Sequence, residues 1–197
     1  MKKIIIISIS VLILIYAVVV TIKKVNWNLN HSVGEKIDSL NGVNVYYNGG
    51  VGNSTGRNLT DDGYNLGMKY QCVEFIKRYY YQYLKHKMPD SYGNALDFYD
   101  KTVGDGKMNE KRNLIQFSNP SKEKPKENDI IIYNKSLLNP YGHVAIISKV
   151  EENFIEIIQQ NPGPFSSSRE NIKLQKFNGQ WFLENDRILG RLAKKNL

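Results

Sequence analysis

The chain has 197 residues, 41% of them hydrophobic and 23% charged, with 27 Lys and Arg against 19 Asp and Glu and a net charge of +8. Once an N-terminal apolar segment is set aside, that length accommodates one domain with its own core and excludes a multidomain enzyme. One cysteine rules out an internal disulfide and a cysteine-rich zinc site, and the three histidines lack H-E-x-x-H spacing, so no metal site is expected.

Ile4 to Ile22 is a 19-residue run interrupted only by Ser8, Ser10, Tyr16 and Thr21, which as helix extends roughly 28 Å, about a bilayer core. It ends Val18-Val19-Val20-Thr21-Ile22, without the small-residue cleavage site of a signal peptide, so residues 1–24 are read as an uncleaved single-pass anchor in a bacterial cell membrane. Lys2 and Lys3 flank one end and Lys23 and Lys24 the other. The amino terminus tips the balance toward an N-terminus inside and an extracytoplasmic domain. These four lysines account for half the excess charge, leaving 23 basic against 19 acidic residues and +4 on the remainder. The basic residues are scattered and carry no nucleic-acid motif; the anionic polymer such a surface could favour is a cell wall.

Residues 25–40 are polar and aperiodic and read as a tether, with a short packed piece around Val33 to Leu40; residues 41–197 form the domain. Gly42 to Tyr47 alternates as a strand. Asn48 to Gly67 is a long Gly- and Asn-rich loop whose glycine spacing does not fit a phosphate loop, so no nucleotide is expected. Pro89, Asp90 and Gly93 turn the chain before a shorter helix near Ala95 to Lys101, and Asp105 to Asn128 reads as another polar loop. Strands follow at Ile130–Tyr133, His143–Val150, Phe154–Gln160, Ile172–Phe177, Gln180–Leu183 and Ile188–Leu192. Asn178-Gly179 marks a hairpin turn among them. Helix first and antiparallel sheet afterwards is an α+β pattern.

The strongest helix begins at Cys72. Phe75, Ile76, Tyr79, Tyr80, Tyr83 and Leu84 recur on one stripe, with Glu74, Lys77, Arg78, Gln82 and Lys85 mostly on the other face. Cys72 thus stands at a helix N-terminus, where free N–H groups and the helix dipole favour a thiolate. A buried structural thiol is the plainer alternative.

His143 opens a strand after a loop. If Glu151-Glu152-Asn153 is a three-residue connection, Val150 faces Phe154, and the register carries Asn161 directly opposite His143 with Gln159 one diagonal step away. A nucleophile at a helix N-terminus, a histidine on the sheet beneath it and an amide to hold the imidazole are the parts of a cysteine hydrolase.

Tyr70-Gln71-Cys72-Val73-Glu74-Phe75, Asn128-Asp129-Ile130-Ile131-Ile132-Tyr133, Gly142-His143-Val144-Ala145-Ile146-Ile147, Gln159-Gln160-Asn161 and Ile188-Leu189-Gly190 together resemble the cysteine, histidine-dependent amidohydrolases/peptidases (CHAP domains), and among them the amidase domains of glutathionylspermidine amidase/synthetase. The resemblance implies a papain-like, NlpC-type fold. It also implies catalysis by Cys72 as nucleophile, His143 as base and then acid, and Asn161 or Gln159 as orienting group. Gln159 stands where the family has a carboxylate, and a neutral amide cannot stabilise an imidazolium by charge. An oxyanion would be met by the backbone N–H of Cys72, helped by Gln71.

No cofactor is implied. The expected substrate is an amide in peptidoglycan peptides if the domain lies outside, or a glutathione-polyamine amide if it faces the cytoplasm. The rival reading is a membrane-tethered module of the same fold that binds cell wall or a partner without turnover; a pore component has little support from one span without ionisable intramembrane residues.

Overall fold

A computed structural model describes residues 2–137 and 139–195; Met1, Asn196 and Leu197, at the outer limits of the expected anchor and domain, lie outside them. Helix α1 (Lys2–Lys24) is apolar on every side, exposed from Lys2 to Val19, and long and apolar enough to cross a membrane.

The stretches expected to be tether and loop contain short hairpins. Strands β1 (Lys36–Leu40) and β2 (Val43–Tyr46) pair across Asn41-Gly42, both with positive φ, as a tight hairpin turn requires. Strands β3 (Arg57–Leu59) and β4 (Asn65–Met68) form a second hairpin inside Asn48–Gly67. After α2 (Cys72–Gln82), the shorter expected helix reduces to a 3-10 turn over Ala95–Phe98. The polar stretch Asp105–Asn128 holds a third hairpin, β5 (Lys107–Asn109) with β6 (Leu114–Ser118).

The remaining strands are close to expectation: β7 (Ile130–Tyr133), β8 (His143–Val150), β9 (Phe154–Ile158), β10 (Arg169–Phe177), β11 (Gln180–Leu183) and β12 (Ile188–Ala193). The eight strands β5 to β12 make one sheet in the order β11-β10-β9-β8-β7-β12-β6-β5, with every neighbouring pair antiparallel. The β10–β11 turn is Asn178-Gly179, as read from the sequence.

Successive residues of β7 and β8 go to two cores. Ile130, Ile132, Val144 and Ile146 pack with Phe75, Ile76, Tyr79 and Tyr80 of α2. Ile131, Ala145 and Ile147 pack on the opposite face with Ile155 and Ile157 of β9, Ile172 and Leu174 of β10, and Leu183 of β11. Side chains of β11 and β7 share one cluster, so the sheet curls onto itself, and both faces of its centre are dry. This explains why Ile130-Ile131-Ile132 is a continuous apolar run rather than an alternating one. Burying each large side chain contributes roughly 1.5–3 kcal/mol.

Helix α2 departs from its expected amphipathicity. Glu74, Lys77 and Arg78, assigned by period to the solvent face, are 2%, 1% and 6% exposed. The cause lies in the unexpected hairpins: α2 packs on β4 and β2 as well as on β8, so its polar face is covered too. Gly67 allows the approach; a Cβ there would meet the backbone of Glu74 at 3.3 Å.

Candidate active site

Cys72 is the first residue of α2, preceded by Gln71 in extended conformation (ψ 158°) and by Tyr70 at φ 65°. The thiol faces a cleft of about 520 Å³, bordered by the 51–54 loop, β4, the 91–95 segment and Asn139–Gly142. Backbone N–H groups of Val144, Val73 and Cys72 itself favour the charged form of the sulfur. Burial outweighs them and pushes the thiol up to about 11. The thiolate expected at the helix N-terminus is therefore opposed by the dryness of the position.

His143 follows Gly142, whose φ is +73° and whose Cα lies so close to β7 that a Cβ would sit 2.6 Å from the Tyr133 carbonyl oxygen. Only glycine fits there. The imidazole lies 5.9 Å from the Tyr133 ring, tilted by 48° to it, and its Nε2 is 2.9 Å from Oε1 of Gln159. The Gln159 amide is oriented by its own Nε2, which donates to the Ser167 carbonyl at 3.3 Å. With Oε1 turned to the imidazole, Nε2 of His143 carries the proton and Nδ1 is left as the unprotonated nitrogen, the tautomer a base needs. Burial lowers the pKa of His143 to about 4, opposed by the Gln159 bond. Among the described residues no hydrogen bond joins Cys72 to His143. The N–H of Val144, the residue that follows the histidine, is among the backbone groups that favour the thiolate. At neutral pH the two groups rest as thiol and imidazole.

Asn161 does not face His143. At the His143 end, β8 and β9 keep the expected register, Ile146 opposite Ile158, but a bulge between Ile147 and Lys149 separates it from the turn, where Val150 faces Ile155 instead of Phe154. Strand β9 stops at Ile158, and Asn161 takes φ 59°, outside strand conformation. Its Nδ2 donates to Oε1 of Gln71 at 2.7 Å and to the Val51 carbonyl at 3.0 Å, while its Oδ1 is buried without a partner among the described residues. Gln159, one step away in the expected pairing, is the residue that meets the imidazole.

Gln71 is likewise committed. Its Nε2 donates to the carbonyls of Asn53 (2.6 Å) and Val51 (3.3 Å), so the amide hydrogens expected to help an oxyanion are spent on the covering loop.

The unanticipated member of the site is Gln160. Its Nε2 donates to the Gln71 carbonyl and to Oε2 of Glu74, both at 2.9 Å, and its Oε1 accepts from Arg78 and from the N–H of Tyr46. Glu74 also takes Arg78 Nε at 2.6 Å and Asn58 Nδ2 at 2.8 Å. Alternation along Gln159-Gln160-Asn161 is the signal that could have found it: if Gln159 lies on the His143 face, Gln160 must lie on the α2 face. Lys77 is the other omission. It lies beneath the cleft, its ammonium held by the carbonyls of Asn65 and Ser91, with burial lowering its pKa to about 8.

All of these side chains from Cys72 to Asn161 fall within residues 62–161, the stretch matched by the CHAP domain family. The chain belongs to the CHAP domain family. Relatives of this CHAP protein include trypanothione synthetase from Crithidia fasciculata, 32% identical over 135 residues, which are 67% of this chain and 21% of the relative. Glutathionylspermidine synthase from the same organism is 30% identical over 104 residues, 50% of this chain and 14% of the relative. The chain thus spans about a fifth or less of the length of these relatives.

Proposed function

We propose that this CHAP protein is a membrane-anchored bacterial cysteine amidase or peptidase of papain-like fold, its domain over residues 41–197 acting on an amide by acyl transfer to Cys72. The observation that carries the reading is the His143–Gln159 bond, which leaves Nδ1 of His143 as the free base, one residue before Val144, whose backbone N–H favours the Cys72 thiolate. Because both groups rest neutral, the proton leaves the thiol for His143 as sulfur attacks the carbonyl, rather than in a preformed ion pair. The backbone N–H of Cys72 meets the developing oxyanion, and the Gln71 amide joins when it leaves the carbonyls of Val51 and Asn53. His143 then protonates the departing amine, and water, deprotonated by His143, releases the acid.

The lining of the cleft favours one substrate class over the other. Lys23, Arg57 and Lys77 border it, and no Asp or Glu does among the described residues. A peptide bearing carboxylates, as in peptidoglycan stems, suits that field; the cationic polyamine arm of a glutathione-polyamine amide is repelled by it. An extracytoplasmic domain agrees with the first.

The test is amine release by the full chain in detergent from peptidoglycan peptides and from a glutathione-polyamine amide, in the parent, Cys72→Ala and His143→Ala. A loss of at least a hundredfold in both variants is expected, with peptidoglycan peptides preferred. A second reading, a binding module without turnover, is favoured by the buried neutral thiol and the amide at position 159; turnover absent from the parent on both substrates would favour it in place of the hydrolase, and turnover unchanged in Cys72→Ala would overturn acyl transfer to Cys72.

A further inference from the structure

The segment after α1 does not behave as a tether. The Lys23 carbonyl accepts the N–H of Gly52 at 2.9 Å, and Gly50 lies so close that a Cβ would be 2.2 Å from the same oxygen. Asn26 accepts the Tyr47 hydroxyl at 2.9 Å, and Asn28 donates to the Pro164 carbonyl at 2.9 Å. The Gly34 N–H donates to the Tyr47 carbonyl at 2.8 Å. The end of the apolar helix is thereby fastened to the loop that covers Cys72, and Lys23 itself borders the cleft.

Around this junction three large apolar side chains face outward: Trp27 is 49%, Leu29 92% and Phe165 74% exposed. Phe165 comes from a distant part of the chain, and the Asn28–Pro164 bond ties the segment that carries it to the one that carries Trp27 and Leu29. Residues 23–34 and 162–168 contain no Asp or Glu, while Lys23 and Lys24 close the helix. The carboxylate that follows residues 23–34, Glu35, is tied to His31 and the Ser32 N–H. Aromatic and apolar side chains with flanking lysines, continuous with an unburied apolar helix, match the headgroup zone of a bilayer.

We propose that Trp27, Leu29 and Phe165 seat the domain on the membrane that α1 enters, fixing the Cys72 cleft at the bilayer surface, so that the substrate is an amide presented there. The inference rests on the reading of α1 as an anchor. It goes beyond that reading, because an anchored domain could equally stand away from the lipid on a flexible stalk.

The test uses the full chain in vesicles of equal parts phosphatidylcholine and phosphatidylglycerol, with acyl chains brominated near the headgroup. The chain has two tryptophans, Trp27 and Trp181. One reporter keeps Trp27 with Trp181→Phe; the other combines Phe165→Trp with Trp27→Phe and Trp181→Phe. Seating predicts at least twofold quenching of both. Quenching at 27 without quenching at 165 leaves the anchor intact and overturns the seating. A reporter at 165 that is unquenched by lipid yet shielded from acrylamide also overturns it, in favour of a protein cover. Quenching at neither site overturns the anchor reading together with the seating.

In the hydrolase assay, Leu29→Asp with Phe165→Asp is expected to lower turnover of a lipid-linked peptide amide about tenfold and leave a soluble peptide amide unchanged. Equal effects on both substrates would overturn the proposal, and the parent's activity on the soluble amide reports the hydrolase reading separately.

Discussion

Gln159→Glu would place a carboxylate 2.9 Å from the Nε2 of His143, where an uncharged amide now sits. The charge favours the imidazolium, so the pKa of His143 should rise from about 4 by roughly 2 units, within the range for a carboxylate neighbour. NMR titration of the imidazole reads that directly. The inflection of Cys72 alkylation against pH should move down, and amide turnover should rise about tenfold. An unchanged titration would show that Gln159 is not the imidazole's partner.

The same burial makes His143 an acid-labile point. Its folded-state pKa lies below the unfolded value of 6.5, so the unfolded chain takes up the proton first as pH falls. Stability is then lost between about pH 6.5 and 4, by on the order of 3 kcal/mol in total. Urea denaturation at pH 7 and pH 4.5 should show the difference, and His143→Gln should flatten it. Individual residue types were legible at this scale, since the only cysteine and a histidine after a glycine pointed to the site. The choice between Asn161 and Gln159 was not, because the bulge in β8 and the positive φ of Asn161 are backbone events with no signature in a pairing rule.

At the scale of elements, α2 is held by a buried polar layer as well as by its aromatic stripe. Glu74 and Arg78 form a 2.6 Å pair at 2% and 7% side-chain exposure, closed by Gln160. Glu74→Gln leaves the guanidinium uncompensated and is expected to cost about 3–5 kcal/mol. Gln160→Ala strips partners from Gln71, Glu74 and Tyr46 and is expected to cost about 1–3 kcal/mol, with a fall in turnover, since the residue before Cys72 loses its tie to the sheet. Chemical denaturation and the amide assay measure both. Long strands such as β8 and β10 could be read because eight or nine residues carry a pattern. Strands β3 and β5, three residues each and largely polar, carry none. Missing those short hairpins also made a helix buried from Glu74 to Tyr80 read as a half-exposed one.

For the whole molecule, the proposed anchoring through α1 predicts the partition between membrane and water. With an apolar stretch of 20 residues over Lys2–Thr21, the full chain should stay with vesicles through alkaline carbonate and high salt and leave only with detergent. Removing residues 2–22 should release it to the supernatant; release of the parent by salt alone would point to surface adsorption. The apolar run made helix α1 legible, but the docking of residues 23–35 was not, because Asn26 and Asn28 hydrogen-bond to segments far away in sequence.

That docking changes the geometry of search. Sixteen unstructured residues would let a catalytic head roam over roughly 20–24 Å above its root, sampling a hemisphere of solvent. The hydrogen-bonded junction from Lys23 to Tyr47 removes this freedom. On the proposed anchoring, encounters depend on lateral diffusion in a plane, and the rate of turnover would follow how densely target molecules are packed per unit area, not how concentrated they are in the surrounding volume.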